Sequence, residues 1–180
     1  MKIPPSDAKD ISIFPGEYHF GVQDTRVRTL LGSCVAITLW HPQRRIGGMC
    51  HYMLPGRATA PQAQLDAKYA DDALHLLQSE VAKAGTALSE YEVKLFGGGN
   101  MFPDFEQTHR DPIGRKNAEA GRKLVTALGL RPKSEDLEGV GHRKVVLDIW
   151  SGDVWVKRSV RRSQPKQCAQ CEVRTACYGK

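Results

Sequence analysis

Polar and apolar positions change period several times along the chain, and each change marks an element. Between Glu17 and Leu31, Tyr18, Phe20 and Val22 alternate with polar neighbours, the period of a half-buried strand. Gly32-Ser33 then reads as a turn. The run CVAITLW (34–40) is continuously apolar and rich in β-branched residues, as a buried strand requires. HPQRR (41–45) is a polar turn, which puts His41 in solvent, and IGGMCHYML (46–54) reads as a second strand. The two strands predict a hairpin that ends at Pro55-Gly56.

Further on, Ala70, Ala73, Leu74, Leu77, Val81 and Ala84 recur at three- and four-residue steps, and Gly85 stops the helix they predict. EVKLF (92–96) is the next strand and runs into Gly97-Gly98-Gly99. A second helix is predicted over 114–128, with Ala118, Leu124, Val125 and Leu128 on one face and Gly129 as its cap. KVVLDIW (144–150), a turn at 151–153 and VWVKR (154–158) read as a closing hairpin. Strands outnumber helices, and the helices fall between groups of strands. The pattern predicts an α/β sandwich, sheet with helices packed on it, over 17–158. Residues 1–16 read as a loose N-terminal arm and 159–180 as a basic, cysteine-containing tail.

The length of 180 residues suits one domain with one sizeable core. With 41% hydrophobic and 26% charged residues, the composition is that of a folded globular protein. No apolar run approaches the roughly 20 residues that span a bilayer. The first residues, with prolines and aspartates and no apolar stretch, do not read as a signal peptide. A cytoplasmic, reducing setting is therefore expected, with the five cysteines as free thiols. The net charge of +6 sits entirely in the tail: Lys157 to Lys180 holds seven basic residues and one acidic one, and the rest of the chain is balanced. That distribution gives the fold no basic face, so nucleic-acid binding is not expected.

Candidate chemistry starts at Cys34, at the junction of the Gly32-Ser33 turn and a strand. A thiol there can reach solvent, and the N–H groups of such a turn can serve as oxyanion donors. A small apolar residue opening a core strand would satisfy the same pattern. In the hairpin, a residue near the start of the first strand lies opposite one near the end of the second, which pairs Cys34 with His51. An imidazole beside a thiol supplies a general base. Cys50, adjacent to His51, points to the other face and reads as a core thiol. Gly97–Gly99 lacks the Lys-Ser/Thr ending of a phosphate-binding loop, and reads better as a close backbone approach after an edge strand. Cys168, Cys171 and Cys177 offer three thiolates, one short of a closed zinc site, for which His142 or a second chain would have to supply the fourth ligand. A reduced tail without metal is the simpler reading.

The segments LLGSCVAITLWHP, GGMCHYMLP, KYADDAL, KLFGGGNMF and IGRKN stand in one order over 17–158, and together they resemble the CheD family of bacterial chemotaxis proteins. The resemblance implies an enzyme that deamidates glutamines on chemoreceptors and an α/β sandwich similar to glutamine-deamidating toxins. It implies a Cys-His centre at Cys34 and His51, with a threonine upstream of GSC, matched to Thr29, as third member. Gly32 and Ser33 would line the cleft and supply oxyanion donors. No cofactor is implied. The expected partners are the cytoplasmic helices of a chemoreceptor, met over the loops at 55–66 and 97–112, and, in some members, a phosphatase resembling CheC. A regulatory adaptor that binds such a phosphatase without catalysis is the alternative function. The IGRKN motif departs from the family in having Lys116 directly before Asn117, where arginine is more usual, and neither Arg115 nor Lys116 is assigned a role.

Overall fold

The segment 35–41 is buried at every position, which a strand achieves only when both of its faces are covered. A computed structural model, which describes residues 5–57, 64–101 and 112–159, shows what covers it. The chain order is β1 (Lys9–Ser12), β2 (Glu17–Gly21), β3 (Thr25–Leu31), β4 (Val35–His41), β5 (Ile46–Tyr52), α1 (Ala70–Lys83), β6 (Glu92–Gly97), α2 (Ile113–Ala127), β7 (Pro132–Leu137), β8 (His142–Asp148) and β9 (Asp153–Ser159). Strands β2-β5-β4-β6-β7 form one sheet and β1-β3-β8-β9 a second. Val35, Ile37 and Leu39 pack with Leu74, Leu77, Val81 and Val125 of the helices. Ala36 and Trp40, from the other face of β4, pack with Val27, Leu31, Val145 and Leu147 of the second sheet. The result is a mixed α/β fold of two sheets and two helices, with β4 in the middle layer.

The predicted hairpin forms, with Val35 opposite Tyr52 and Ala36 opposite His51. Both helices lie within a residue of their expected bounds, and Gly85 and Gly129 end them with positive φ. Four expectations change. The stretch 17–31 is two strands in different sheets, because Thr25 N–H closes a turn on the Val22 carbonyl. The arm is partly ordered: Lys9–Ser12 pairs in parallel with β3, and Ile13 is buried in the core between the sheets. Strand β7, too polar to be read as a strand, shields β6 along a parallel ladder, so the glycines follow an interior strand rather than an edge. His41 is buried rather than exposed; its ring meets Tyr91 edge-on and its Nδ1 accepts the Arg44 N–H at 3.4 Å.

Candidate active site

Cys34 stands just outside the first pair of the β4–β5 ladder. Side chains alternate along a strand, so Cys34 shares the face of Ala36, and Ala36 is the cross-strand partner of His51. Cys34 is thus a diagonal neighbour of His51 on the face that meets the second sheet, where it is half-buried against the inter-sheet core. Cys50 faces the helices and is fully buried, as expected of a core thiol.

The turn before Cys34 is held by its carbonyls. Gly99 N–H donates to Gly32 O and Gly98 N–H to Cys34 O, both at 2.8 Å. Those two donors turn back because Gly97 and Gly98 adopt φ of 118° and 65°, a region that side chains disfavour. The triple glycine is therefore a backbone clamp on the cysteine turn, consistent with the close approach expected from its composition. A Cβ on Gly32 would come within 3.0 Å of Met101 Sδ, so glycine at that position lets Met101 pack against the turn. Behind the clamp lies Arg143, fully buried, which donates to Gly97 O at 2.7 Å and pairs with Asp136 at 3.1 Å.

His51 is 1% exposed. Thr29, on an inward position of β3, reaches across from the second sheet and places Oγ1 2.7 Å from His51 Nδ1. The same hydroxyl lies 2.8 Å from the Ile13 carbonyl. A hydroxyl has one hydrogen, and the carbonyl can only accept. When Thr29 donates to Ile13, it must accept from His51, which fixes the imidazole proton on Nδ1 and leaves a bare lone pair on Nε2. Nε2 is buried and has no hydrogen-bond partner among the described residues. The ordered end of the arm completes this arrangement, since Ile13 holds Thr29 and Gly16 N–H donates to the His51 carbonyl at 2.8 Å.

Burial pushes the His51 imidazole down to about 4, with the Glu17 carboxylate, opposite it in the β2–β5 ladder, pulling weakly the other way. Burial pushes the Cys34 thiol up, opposed by its own backbone N–H. At neutral pH both groups are therefore uncharged. This pair can act by passing the thiol proton to Nε2 as a new bond forms at sulfur, rather than as a standing thiolate–imidazolium pair.

Thr29, Gly32, Ser33, Cys34 and His51 are thus gathered at one end of the inter-sheet layer. Cys168, Cys171 and Cys177 lie outside the described residues, as do residues 58–63 and 102–111 of the two loops expected to meet a receptor. Sequence reasoning missed Asn117 and Arg143. Asn117, fully buried on α2, donates from Nδ2 to Ser33 O at 3.0 Å and to Met53 O at 2.8 Å. The signal was an amide on the apolar face of α2 beside Gly114, Ala118 and Gly121.

Comparison with known proteins bears on this geometry. The family described as CheD chemotactic sensory transduction matches residues 53–158. The chain is 48% identical over 156 residues to the probable chemoreceptor glutamine deamidase CheD 3 of Dechloromonas aromatica, covering 87% of this chain and 91% of that one. It is 45% identical over 173 residues to the probable chemoreceptor glutamine deamidase CheD of Pseudomonas syringae pv. syringae, covering 96% and 97%. The chain belongs to the CheD family. A more distant relative, the probable chemoreceptor glutamine deamidase CheD 1 of Leptospira interrogans, is 38% identical over 166 residues, 88% of this chain and 98% of that one. The Cys34–His51 hairpin lies before the segment matched by the family but within the span of the long pairwise match to the Pseudomonas syringae pv. syringae relative, which covers 96% of this chain. Among the described residues of this CheD chain, no helix is long and apolar enough to cross a membrane.

The role of Thr29 in this CheD fold is testable directly. Thr29→Val keeps the shape and removes the hydroxyl, leaving His51 Nδ1 without its partner. The loss of imidazole orientation is expected to lower the turnover number by about 10²-fold, within the range that general-base catalysis supplies. The unsatisfied buried groups should cost on the order of 1–3 kcal/mol in denaturant unfolding.

Proposed function

We propose that this chain deamidates glutamine side chains on the cytoplasmic helices of chemoreceptors, with Cys34 as nucleophile and His51 as base. The observation that carries the reading is the bare, buried Nε2 of His51, on the same sheet face as a half-buried thiol at a backbone-clamped turn. Membership of a family whose relatives are named chemoreceptor glutamine deamidases supports the choice of substrate.

In the proposed reaction, Nε2 takes the Cys34 proton as sulfur attacks the side-chain amide carbon. The carbonyl electron pair moves onto oxygen, towards the Ser33 and Cys34 N–H groups. Collapse of the tetrahedral species breaks the C–N bond. Nε2 returns the proton to nitrogen, and ammonia leaves. Water, deprotonated by Nε2, then attacks the thioester carbon, and breaking the C–S bond yields glutamate and restores the thiol. No redox change occurs, and His51 ends each half-reaction neutral. A glutamyl methyl ester can follow the same route, with methanol leaving in place of ammonia. Thr29 orients His51, and glutamine selection falls to the receptor-facing loops.

The reading is tested by incubating the protein with a receptor cytoplasmic fragment, following ammonia release, and locating new glutamates by peptide mass spectrometry. Stoichiometric ammonia and glutamate at specific positions are expected. Binding without either product would contradict deamidation and favour an adaptor that regulates a CheC-like phosphatase.

The pH profile follows from His51. Because burial disfavours the imidazolium, the base stays neutral as pH falls through the ordinary imidazole range near about 6.5. The acid limb of kcat/KM is therefore expected near the His51 value of about 4. A limb near 6.5 in steady-state assays would mean that the free enzyme's base is a solvated histidine.

A further inference from the structure

We infer that Asn117 is a positioning residue that sets the oxyanion donors of the Cys34 turn. This rests on the proposed deamidation and deepens it.

Asn117 bridges the two strand ends that carry the reacting groups. Ser33 directly precedes Cys34, and Met53 follows His51 by two residues; both carbonyls accept from the one Nδ2. Two carbonyl partners fix which end of the amide faces the turn, since only –NH₂ can donate twice. The peptides here are trans, so a carbonyl and the following N–H point in opposite directions. Holding Ser33 O towards α2 therefore turns the Cys34 N–H away from α2. Gly99 does the same for the next donor by holding Gly32 O, which aims the Ser33 N–H.

The fold goes to some length to hold Asn117 there. A Cβ on Gly114 would come within 2.7 Å of Gly98 O, and one on Gly121 within 2.5 Å of Tyr52 Oη, so Gly114 lets α2 approach the clamp and Gly121 lets it approach Tyr52 of β5. Tyr52 Oη donates to the Asn117 carbonyl at 2.8 Å. Yet Asn117 Oδ1 is buried without a partner among the described residues. An orphaned acceptor costs stability, so an amide at this position is explained by what its donors hold rather than by packing.

The test separates chemistry that needs an oxyanion from chemistry that does not. Deamidation of a receptor fragment builds negative charge on oxygen, whereas alkylation of Cys34 by iodoacetamide does not. In Asn117→Ala, kcat is expected to fall about 10²-fold, the scale of losing one oxyanion donor, with KM within about twofold and the alkylation rate within about threefold of wild type. Asn117→Asp adds a readout that a structural role would not give. Its carboxyl can hold a carbonyl only when protonated, so its kcat should rise as pH falls, opposite to the acid limb of wild type. Parallel loss of deamidation and alkylation, or an unchanged kcat, would overturn the inference while leaving the deamidase reading intact. Loss of fold in both variants would assign Asn117 to stability and overturn it too. A wild type that releases no ammonia would remove the deamidase reading and this inference with it.

Discussion

Cys34→Ala is expected to lower receptor deamidation by at least about 10⁴-fold, the result of removing the proposed nucleophile and leaving the proposed base and oxyanion donors nothing to act on. The side chain is half-buried at the rim of the inter-sheet core, so truncation removes little packing, and the variant should fold and bind receptor as wild type does. Cys34→Ser should be almost as inactive. An alcohol is a far weaker acid than the thiol and its oxygen a poorer nucleophile, so the first attack on the amide slows. Kinetics on a receptor fragment, with binding measured in parallel, check both variants. Deamidation surviving in Cys34→Ala would move the nucleophile elsewhere.

His51→Gln is expected to lower kcat by about 10²–10⁴-fold, the span of general-base catalysis, and to change the shape of the pH profile. With Nε2 gone, the reaction needs a thiolate formed by solvent alone, and burial raises the Cys34 thiol above its ordinary range. The residual rate should therefore climb steadily with pH and lose the acid limb near 4. The sign follows from the cause: burial disfavours thiolate, so only alkaline solution supplies it. A variant that keeps the wild-type acid limb would show that another group is the base.

How much of this was legible in the sequence depended on whether an element's environment is written in its own residues. The β4 run, buried on both faces, is mostly apolar, and the β4–β5 hairpin brought Cys34 and His51 to one face from the pattern alone. The register is less symmetric than a simple opposition: His51 pairs with Ala36, and Cys34 sits one step beyond the ladder. β7 was not legible, since an edge strand with Lys133, Ser134, Glu135 and Asp136 has little apolar pattern to read. The ordering of Lys9–Ser12 was hidden for the same reason, as its pairing to β3 is through the backbone. Thr29 came from family resemblance, because nothing local to a threonine in a strand says that a histidine of another sheet will meet it. Asn117 and Arg143 act on carbonyls distant in sequence, and carbonyl partners leave no mark in residue types. His41 was misread because its neighbours in the turn are polar, while its burial comes from Tyr91 beyond α1.

The central claim is a covalent one, that the receptor glutamine passes through a thioester on Cys34. Acid quenching during turnover on a receptor fragment, followed by mass spectrometry of the Cys34 peptide, tests it most directly. The account predicts a hydroxylamine-sensitive adduct on Cys34 whose mass is that of the glutamine peptide less ammonia, absent in Cys34→Ala. Full-rate glutamate formation with no adduct at any quench time, together with an active Cys34→Ala, would contradict it.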